Sequence, residues 1–297
     1  MADETKANER ESMRGKICMV TGANAGIGKA TALGLAKMGA TVVMVCRSRD
    51  RGQAALNEIR AASSNPDLEL MVADLSSQEA IRTLVADYKR ARDKLHVLVN
   101  NAGVGDKQRI ETKDGIEQTF AVNHLAPFLL TNLLLDVLKA SAPARIVNVT
   151  SSAESFGKIH FDDLNLADNY GAMRAYAQSK LANVLFTYEL ARRLAGTGVT
   201  VNCMNPGAVR TEGPLKMGGF FGMMARLARP FALTPEQGAE AVLYLATSRE
   251  VEGISGQYFE KAKLHKSSKQ SYDTTLAQRV WNVSAELTHL ERVAAAV

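Results

Sequence analysis

Tyr176-Ala-Gln-Ser-Lys180 sets a phenol and an ammonium four residues apart. On a helix that spacing places both side chains on one face. A free phenol has a pKa near about 10, too high for acid–base work at neutral pH. A neighbouring ammonium favours the phenolate and draws that pKa towards the working range. Such a pair can give a proton to an oxygen or take one from it. Tyr-x-x-x-Lys is a common string on its own, so its meaning depends on what stands around it. About 25 residues upstream, Thr150-Ser151-Ser152 leaves an apolar run with hydroxyls to offer.

A second chemistry-bearing stretch is Thr21-Gly-Ala-Asn-Ala-Gly-Ile-Gly28, between an apolar run (Ile17 to Val20) and a helical pattern beginning at Ala30. Gly22 allows a sharp turn, Gly26 lets backbone approach a pyrophosphate, and Gly28 permits close helix–strand packing. Asn24, Ala25 and Ile27 complete the cradle, and the helix start supplies unpaired N–H groups and positive dipole. After the next apolar run comes Cys46-Arg47-Ser48-Arg49, with no acid before Asp50. A dinucleotide with a free ribose 2′-OH calls for a carboxylate there; Arg47 and Arg49 suit a 2′-phosphate, which implies NADP(H). The plain alternative for the two arginines is a solvated basic loop.

Strand and helix patterns alternate almost throughout, which implies an α/β, single-domain, Rossmann-type doubly wound parallel sheet of about seven strands with helices on both faces. Strands are expected at 17–20, 41–46, 68–73, 95–99, 145–149, 199–204 and 256–259. Helices are expected at about 51–62 and 173–194, with a long one carrying Phe120 to Leu133. Ser76 to Glu79 reads as a capping box. Residues 1–13 form a polar tail and 14–297 the one domain, ending in a helix at about 274–295. Right-handed crossovers bring the ends of all parallel strands to one edge, where ligands bind.

The glycine turn, Asn100-Asn101-Ala102-Gly103, Tyr176-x-x-x-Lys180 and Asn205-Pro206-Gly207-Ala208-Val209-Arg210-Thr211 together resemble the short-chain dehydrogenase/reductase family, over roughly Arg14 to Leu290. The resemblance implies hydride transfer between nicotinamide and a carbonyl or alcohol carbon, with Tyr176 moving the proton. Lys180 would tune Tyr176 and bind the nicotinamide ribose, while Ser151, rather than its neighbour Ser152, would hold the substrate oxygen with Tyr176. Asn123 would kink its helix and anchor a relay water; a satisfied core amide is the alternative. Asp74, followed by Leu75, would accept from the adenine amino group or simply cap a helix. Asn101, Ala102 and Gly103 would let the main chain pass the cofactor, and Asn100 would brace the sheet. Pro206, Gly207, Val209 and Thr211 would contact the carboxamide.

Val45-Cys46-Arg47, Val122 to Phe128, Gln178 to Asn183, Ser255 to Phe259 and Arg279-Val280-Trp281 resemble the retinol-dehydrogenase-like branch. Met1 to Arg14 is polar and unlike the hydrophobic anchor of membrane-bound relatives, which sets a retinoid substrate in question. Pro214 to Pro230 combines glycines with Phe220, Phe221, Met223 and Met224. It reads as a lid (about 212–232) over an apolar substrate, or else as a small core helix or a membrane-surface patch. The resemblance implies a homodimer through the Tyr176 helix, unless the C-terminal helix around Trp281 covers that surface. Reduction of a conjugated C=C bond, or non-catalytic NADP(H) sensing, are the competing functions.

A net charge of +5 spread without an aromatic-interleaved basic block does not imply nucleic acid. Three unspaced cysteines and five scattered histidines imply neither a disulfide framework nor a metal site. No apolar run reaches the ~18 residues of a transmembrane helix. The expectation is a cytoplasmic protein.

Overall fold

A computed structural model of the chain describes residues 12–210 and 232–290. The strands are β1 (Ile17–Thr21), β2 (Thr41–Cys46), β3 (Leu68–Val72), β4 (Val97–Asn100), β5 (Ala144–Val149), β6 (Val199–Asn205), β7 (Tyr258–Glu260) and β8 (Lys263–His265). They form one sheet in the order β3-β2-β1-β4-β5-β6-β7-β8. Every pairing is parallel except β7 with β8. The chain runs one way from β1 to β3 and the other way from β4 onward, so the order reverses between β1 and β4.

Apolar residues on both sides of the central strands bury the sheet on both faces. Val20, Val42 and Met44 meet α1 (Gly26–Lys37), α2 (Arg49–Ser63) and α7 (Pro235–Thr247) on one face. Met19, Val43 and Val45 look the other way, towards α3 (Gln78–Ala91), α4 (Ala126–Leu133), α5 (Leu135–Ala140), α6 (Ala172–Arg193) and α8 (Thr274–Leu287). All three cysteines lie buried in strands. Among the described residues no helix is long and apolar enough to cross a membrane.

Four features differ from the reading of the sequence. The eighth strand was hidden because its hairpin turns on Lys261 and Ala262, both at positive φ (48° and 59°), where Gly or Asn is the usual signal. Ser77, not Ser76, caps α3, accepting from Ala80 N at 3.1 Å, and Glu79 pairs with Lys113 instead of closing a capping box. The long helix through Asn123, where the resemblance implied a kink, is divided into pieces: a short turn (Gln118–Phe120) leads into a π-turn (Ala121–Leu125) before α4. Pro127 explains the break, for it has no N–H to return to the carbonyl of Asn123 four residues back. The C-terminal helix ends at Leu287. Thr211 and the segment expected as a lid, up to residue 231, lie outside the described residues.

Along α6 every residue from Ala177 to Leu190 is buried within the one chain. α8 accounts for part of this cover. Its Trp281 ring lies 4.9 Å from that of Phe128 and 5.9 Å from that of Phe186, with the Arg193 guanidinium 4.1 Å above it.

Candidate active site

The glycine turn follows β1 directly, with Gly22 at φ 68° and Gly26 at φ 54°. A side chain at Gly28 would run into the carbonyl of Gly22 and the amide of Asn101, so only glycine closes the turn. Ala25, the residue before α1, gives no side-chain cap, and the first turn of α1 has no acid. The N–H groups there are left to an external acceptor, which is the arrangement a phosphate needs.

Thr21 locks this turn to the exit of β4. Its Oγ1 accepts from Asn101 N and Ala102 N, each at 3.0 Å, and Asn101 Nδ2 donates to the Thr21 carbonyl at 2.8 Å. Sequence reasoning passed over Thr21. The hint was a hydroxyl ending a strand beside the small residues of a neighbouring strand exit.

Arg47 and Arg49 flank Ser48, whose hydroxyl caps α2. Both are exposed, and among the described residues neither has an ion pair or hydrogen bond. Asp74 Oδ1 accepts from Ser76 N and Ser76 Oγ at 3.0 and 2.8 Å, a local turn beside the α3 cap, with Leu75 packed against the core.

Asn100 braces the centre of the sheet, donating to Asn148 Oδ1 at 2.8 Å and Thr131 Oγ1 at 3.0 Å. Beyond it, the main chain squeezes past Gly103. A Cβ there would lie 3.4 Å from Asn123 Oδ1 and 3.7 Å from Lys180 Nζ. The Asn123 amide is fully engaged: Oδ1 accepts from Val104 N at 2.7 Å, and Nδ2 donates to Val104 O and Ser179 Oγ at 2.9 and 3.0 Å. The carbonyl freed by Pro127 accepts from Asn183 Nδ2 at 2.7 Å. That bond fixes the Asn183 amide, so its Oδ1 faces His124 Nδ1 (3.1 Å) and the imidazole carries its proton there. Nε2 then faces Ser284 Oγ of α8 at 2.8 Å. Burial pulls the His124 pKa down to about 4, so the ring stays neutral.

Tyr176 and Lys180 share a face of α6, with Nζ 5.4 Å from the phenol centroid. Lys180 is 4% exposed and donates to the carbonyl of Val149 at 3.0 Å. Burial lowers its pKa to about 8. The Tyr176 pKa moves the other way, upward through burial, with the hydrogen bond from Ser151 opposing the rise. Without a ligand the phenol is therefore a held proton rather than a ready phenolate, contrary to the ammonium-dominated expectation. Ser151 Oγ accepts from Ala153 N at 3.2 Å, which leaves its own proton for Tyr176, while Ser152 is exposed and only its carbonyl is engaged, by Ser155 Oγ at 2.8 Å.

After β6, Gly207 adopts φ 80° and donates to Asn205 Oδ1 at 3.1 Å. Val209 pairs with Leu233 as an isolated bridge. It also closes on α1: a Cβ at Gly238 would meet Val209 Cγ2 at 2.8 Å and Ile27 Cγ1 at 3.2 Å. Pro206, Gly207 and Val209 thus come alongside the glycine turn.

A groove of about 870 Å3 lies at the opposite edge of the sheet, and its two arginines and its histidine are engaged. Arg145 donates to Ser248 O at 2.7 Å, Arg192 pairs with Glu189, and His96 Nδ1 accepts from Ile17 N. Among the described residues there is no cluster of three or more His, Cys, Asp or Glu fit to hold a metal.

A parallel sheet whose reversal point carries a glycine turn, with a serine, a tyrosine and a lysine gathered beyond β5, is the frame of a short chain dehydrogenase. Residues 16–216 match that family, and the chain belongs to it. Within the family it stands in the retinol-dehydrogenase-like branch of oxidoreductases. Human retinol dehydrogenase 14 is 43% identical over 94% of this chain and 88% of its own. Human retinol dehydrogenase 12 is 45% identical, covering 92% and 86% respectively. Among solved structures, an uncharacterized protein of Mycobacterium paratuberculosis superposes with a TM-score of 0.78 at 30% identity, over 95% of this chain and 97% of that one. The Pseudomonas aeruginosa RhlG/NADP active-site complex superposes with a TM-score of 0.67 at 27% identity, over 84% and 95%.

Proposed function

We propose that this chain transfers hydride between NADP(H) and the carbonyl or alcohol carbon of an apolar small molecule. Tyr176 moves the proton, and Ser151 and Tyr176 hold the oxygen. The observation that carries the reading is the Ser151–Tyr176–Lys180 constellation, set at the sheet edge where α1 presents uncapped N–H groups.

When bound, the nicotinamide supplies or accepts the hydride. The protein's part is position and charge. Gly22, Gly26 and Gly28, with Asn24, Ala25 and Ile27, receive the pyrophosphate on α1, and Asn101, Ala102 and Gly103 give the main chain room beside it. Arg47 and Arg49, exposed and without a partner among the described residues, take the 2′-phosphate, a reading that the NADP complex of the structural neighbour supports. Asp74 and Leu75 border the adenine, and Pro206, Gly207 and Val209 border the carboxamide. In reduction Tyr176, protonated, gives its proton to the carbonyl oxygen as hydride reaches carbon; in oxidation the same oxygen takes the proton back. Lys180, charged below about pH 8, stabilises the phenolate that forms. Asn123 holds the loop through Val104 that keeps Gly103 against Lys180. Phe156, 82% exposed at the end of the Ser151 turn, gives the mouth an apolar contact.

Tyr176→Phe tests this. It should lower kcat for NADPH-driven carbonyl reduction by about 10²–10⁴-fold. NADPH binding, followed by fluorescence titration, should be unaffected. Turnover retained in that variant would end the assignment. Running the assay on aldehydes, ketones and enones, retinaldehyde among them, defines the substrate class.

A further inference from the structure

Glu154 is a carboxylate 2% exposed, and among the described residues no cation pairs with it. Both of its oxygens go to one residue far along the chain. Oε1 accepts from Ser268 N at 2.7 Å and Oε2 from Ser268 Oγ at 2.6 Å. A buried carboxylate held only by neutral donors is costly to keep, so what it holds in place matters.

It holds the turn that begins at Ser151. Ser152–Phe156 is a short 3-10 turn, closed by Glu154 N donating to Ser151 O at 3.1 Å and by Ser151 Oγ accepting from Ala153 N. Its far end is pinned twice. A Cβ at Gly157 would meet Ala177 O at 2.5 Å and Leu181 Cβ at 2.7 Å, so the backbone lies hard against the helix of Tyr176 and Lys180. From the other side Gln270 Nε2 donates to Gly157 O at 2.7 Å. The turn is therefore gripped between α6 and the segment at 268–270.

We propose that Glu154, anchored on Ser268, is a positioning residue. It sets the height of the Ser151 hydroxyl against Tyr176. The inference rests on Tyr176 being the acid–base group. A misplacement of about 1 Å at a reacting constellation can cost about 10²-fold in rate, and a loosened turn could move Ser151 that far.

The test uses the full chain with decanal and retinaldehyde as probes, their alcohols for the reverse reaction, and NADPH titration alongside. Glu154→Ala should lower kcat by about 10–10²-fold with the NADPH Kd within about twofold, because the cradle lies elsewhere. The ionisation midpoint of Tyr176 should rise, since the lost Ser151 bond opposed the upward shift. It is read as the 295 nm difference between each variant and the same variant carrying Tyr176→Phe, a signal independent of turnover. Glu154→Gln, which keeps an acceptor for Ser268 N, should recover most of the rate. Val280→Ala, a truncation in the apolar cluster between α8 and α6 that makes no bond to Glu154 or Ser268, serves as a destabilised control and should leave the midpoint where it is. Should Glu154→Ala fail to fold, Ser268→Ala removes one of the two bonds and should move rate and midpoint the same way by less. An unmoved midpoint in Glu154→Ala or Ser268→Ala, or an equal shift in Val280→Ala, overturns the inference. If Tyr176→Phe still turns over, it is the acid–base assignment that fails instead.

Discussion

At the exits of β1 and β4 the ligand edge closes on main chain. Gly22 and Gly28 leave no room for a side chain, and Thr21 bonds the main chain of residues 101 and 102. At the exits of β5 and β6, and along α6, the edge is held by side chains reaching across long stretches of sequence. Asn100 meets Asn148, Asn123 meets Ser179, His124 meets Ser284, and Glu154 meets Ser268. The first region needs shape, because a dinucleotide offers phosphates to bare N–H groups. The second must place protons, and only polar side chains with fixed hydrogen-bond roles can do that.

Substitutions should separate the two modes. The largest effect belongs to Gly28→Val. Its branched side chain would drive the turn off the Asn101 amide, and NADPH affinity should fall by more than about 10²-fold, or the chain should fail to fold. Calorimetric titration beside a thermal melt distinguishes these two outcomes. Lys180→Met should spare cofactor affinity far more than rate, cutting kcat by about 10²–10³-fold. In the wild type, carbonyl reduction should decline as pH rises through about 8, where Lys180 loses its charge. Lys180→Arg should carry that decline to higher pH, and a profile flat to pH 10 would contradict the role.

His124 sharpens the contrast through stability. Its folded pKa of about 4 lies below the ordinary 6.5, so from pH 6.5 down to about 4 the unfolded chain binds the proton more readily. Stability should therefore be unaffected above pH 6.5 and fall by up to about 3 kcal/mol as pH drops to 4. Chemical denaturation of His124→Gln should show a shallower acid dependence than the wild type. The smallest effect is at the exposed rim. Arg47→Ala should weaken NADPH by about tenfold, less at high salt, and leave NADH almost unchanged.

The same contrast explains what could be read from the chain. The glycine turn, the Tyr176–Lys180 spacing and seven of the strands are local patterns, visible within a few residues. The π-turn had a local cause as well, Pro127 four residues after Asn123, and was readable in principle. Glu154 and Ser284 were not, because their partners stand 114 and 160 residues away and nothing in their neighbourhood marks them, while Thr21 left only the hint of a hydroxyl closing a strand, its partner 81 residues on. β8 was missed for a different reason: its hairpin uses Lys261 and Ala262 where turn chemistry favours other residues.

The enclosure of α6 between Ala177 and Leu190 makes the tail structural. Those residues all face their own chain, and α8 supplies part of their cover. The tyrosine and lysine depend on the integrity of their own tail. Clipping the chain ahead of Thr274 should therefore disable the enzyme as surely as damage to the cofactor cradle, however concentrated the sample.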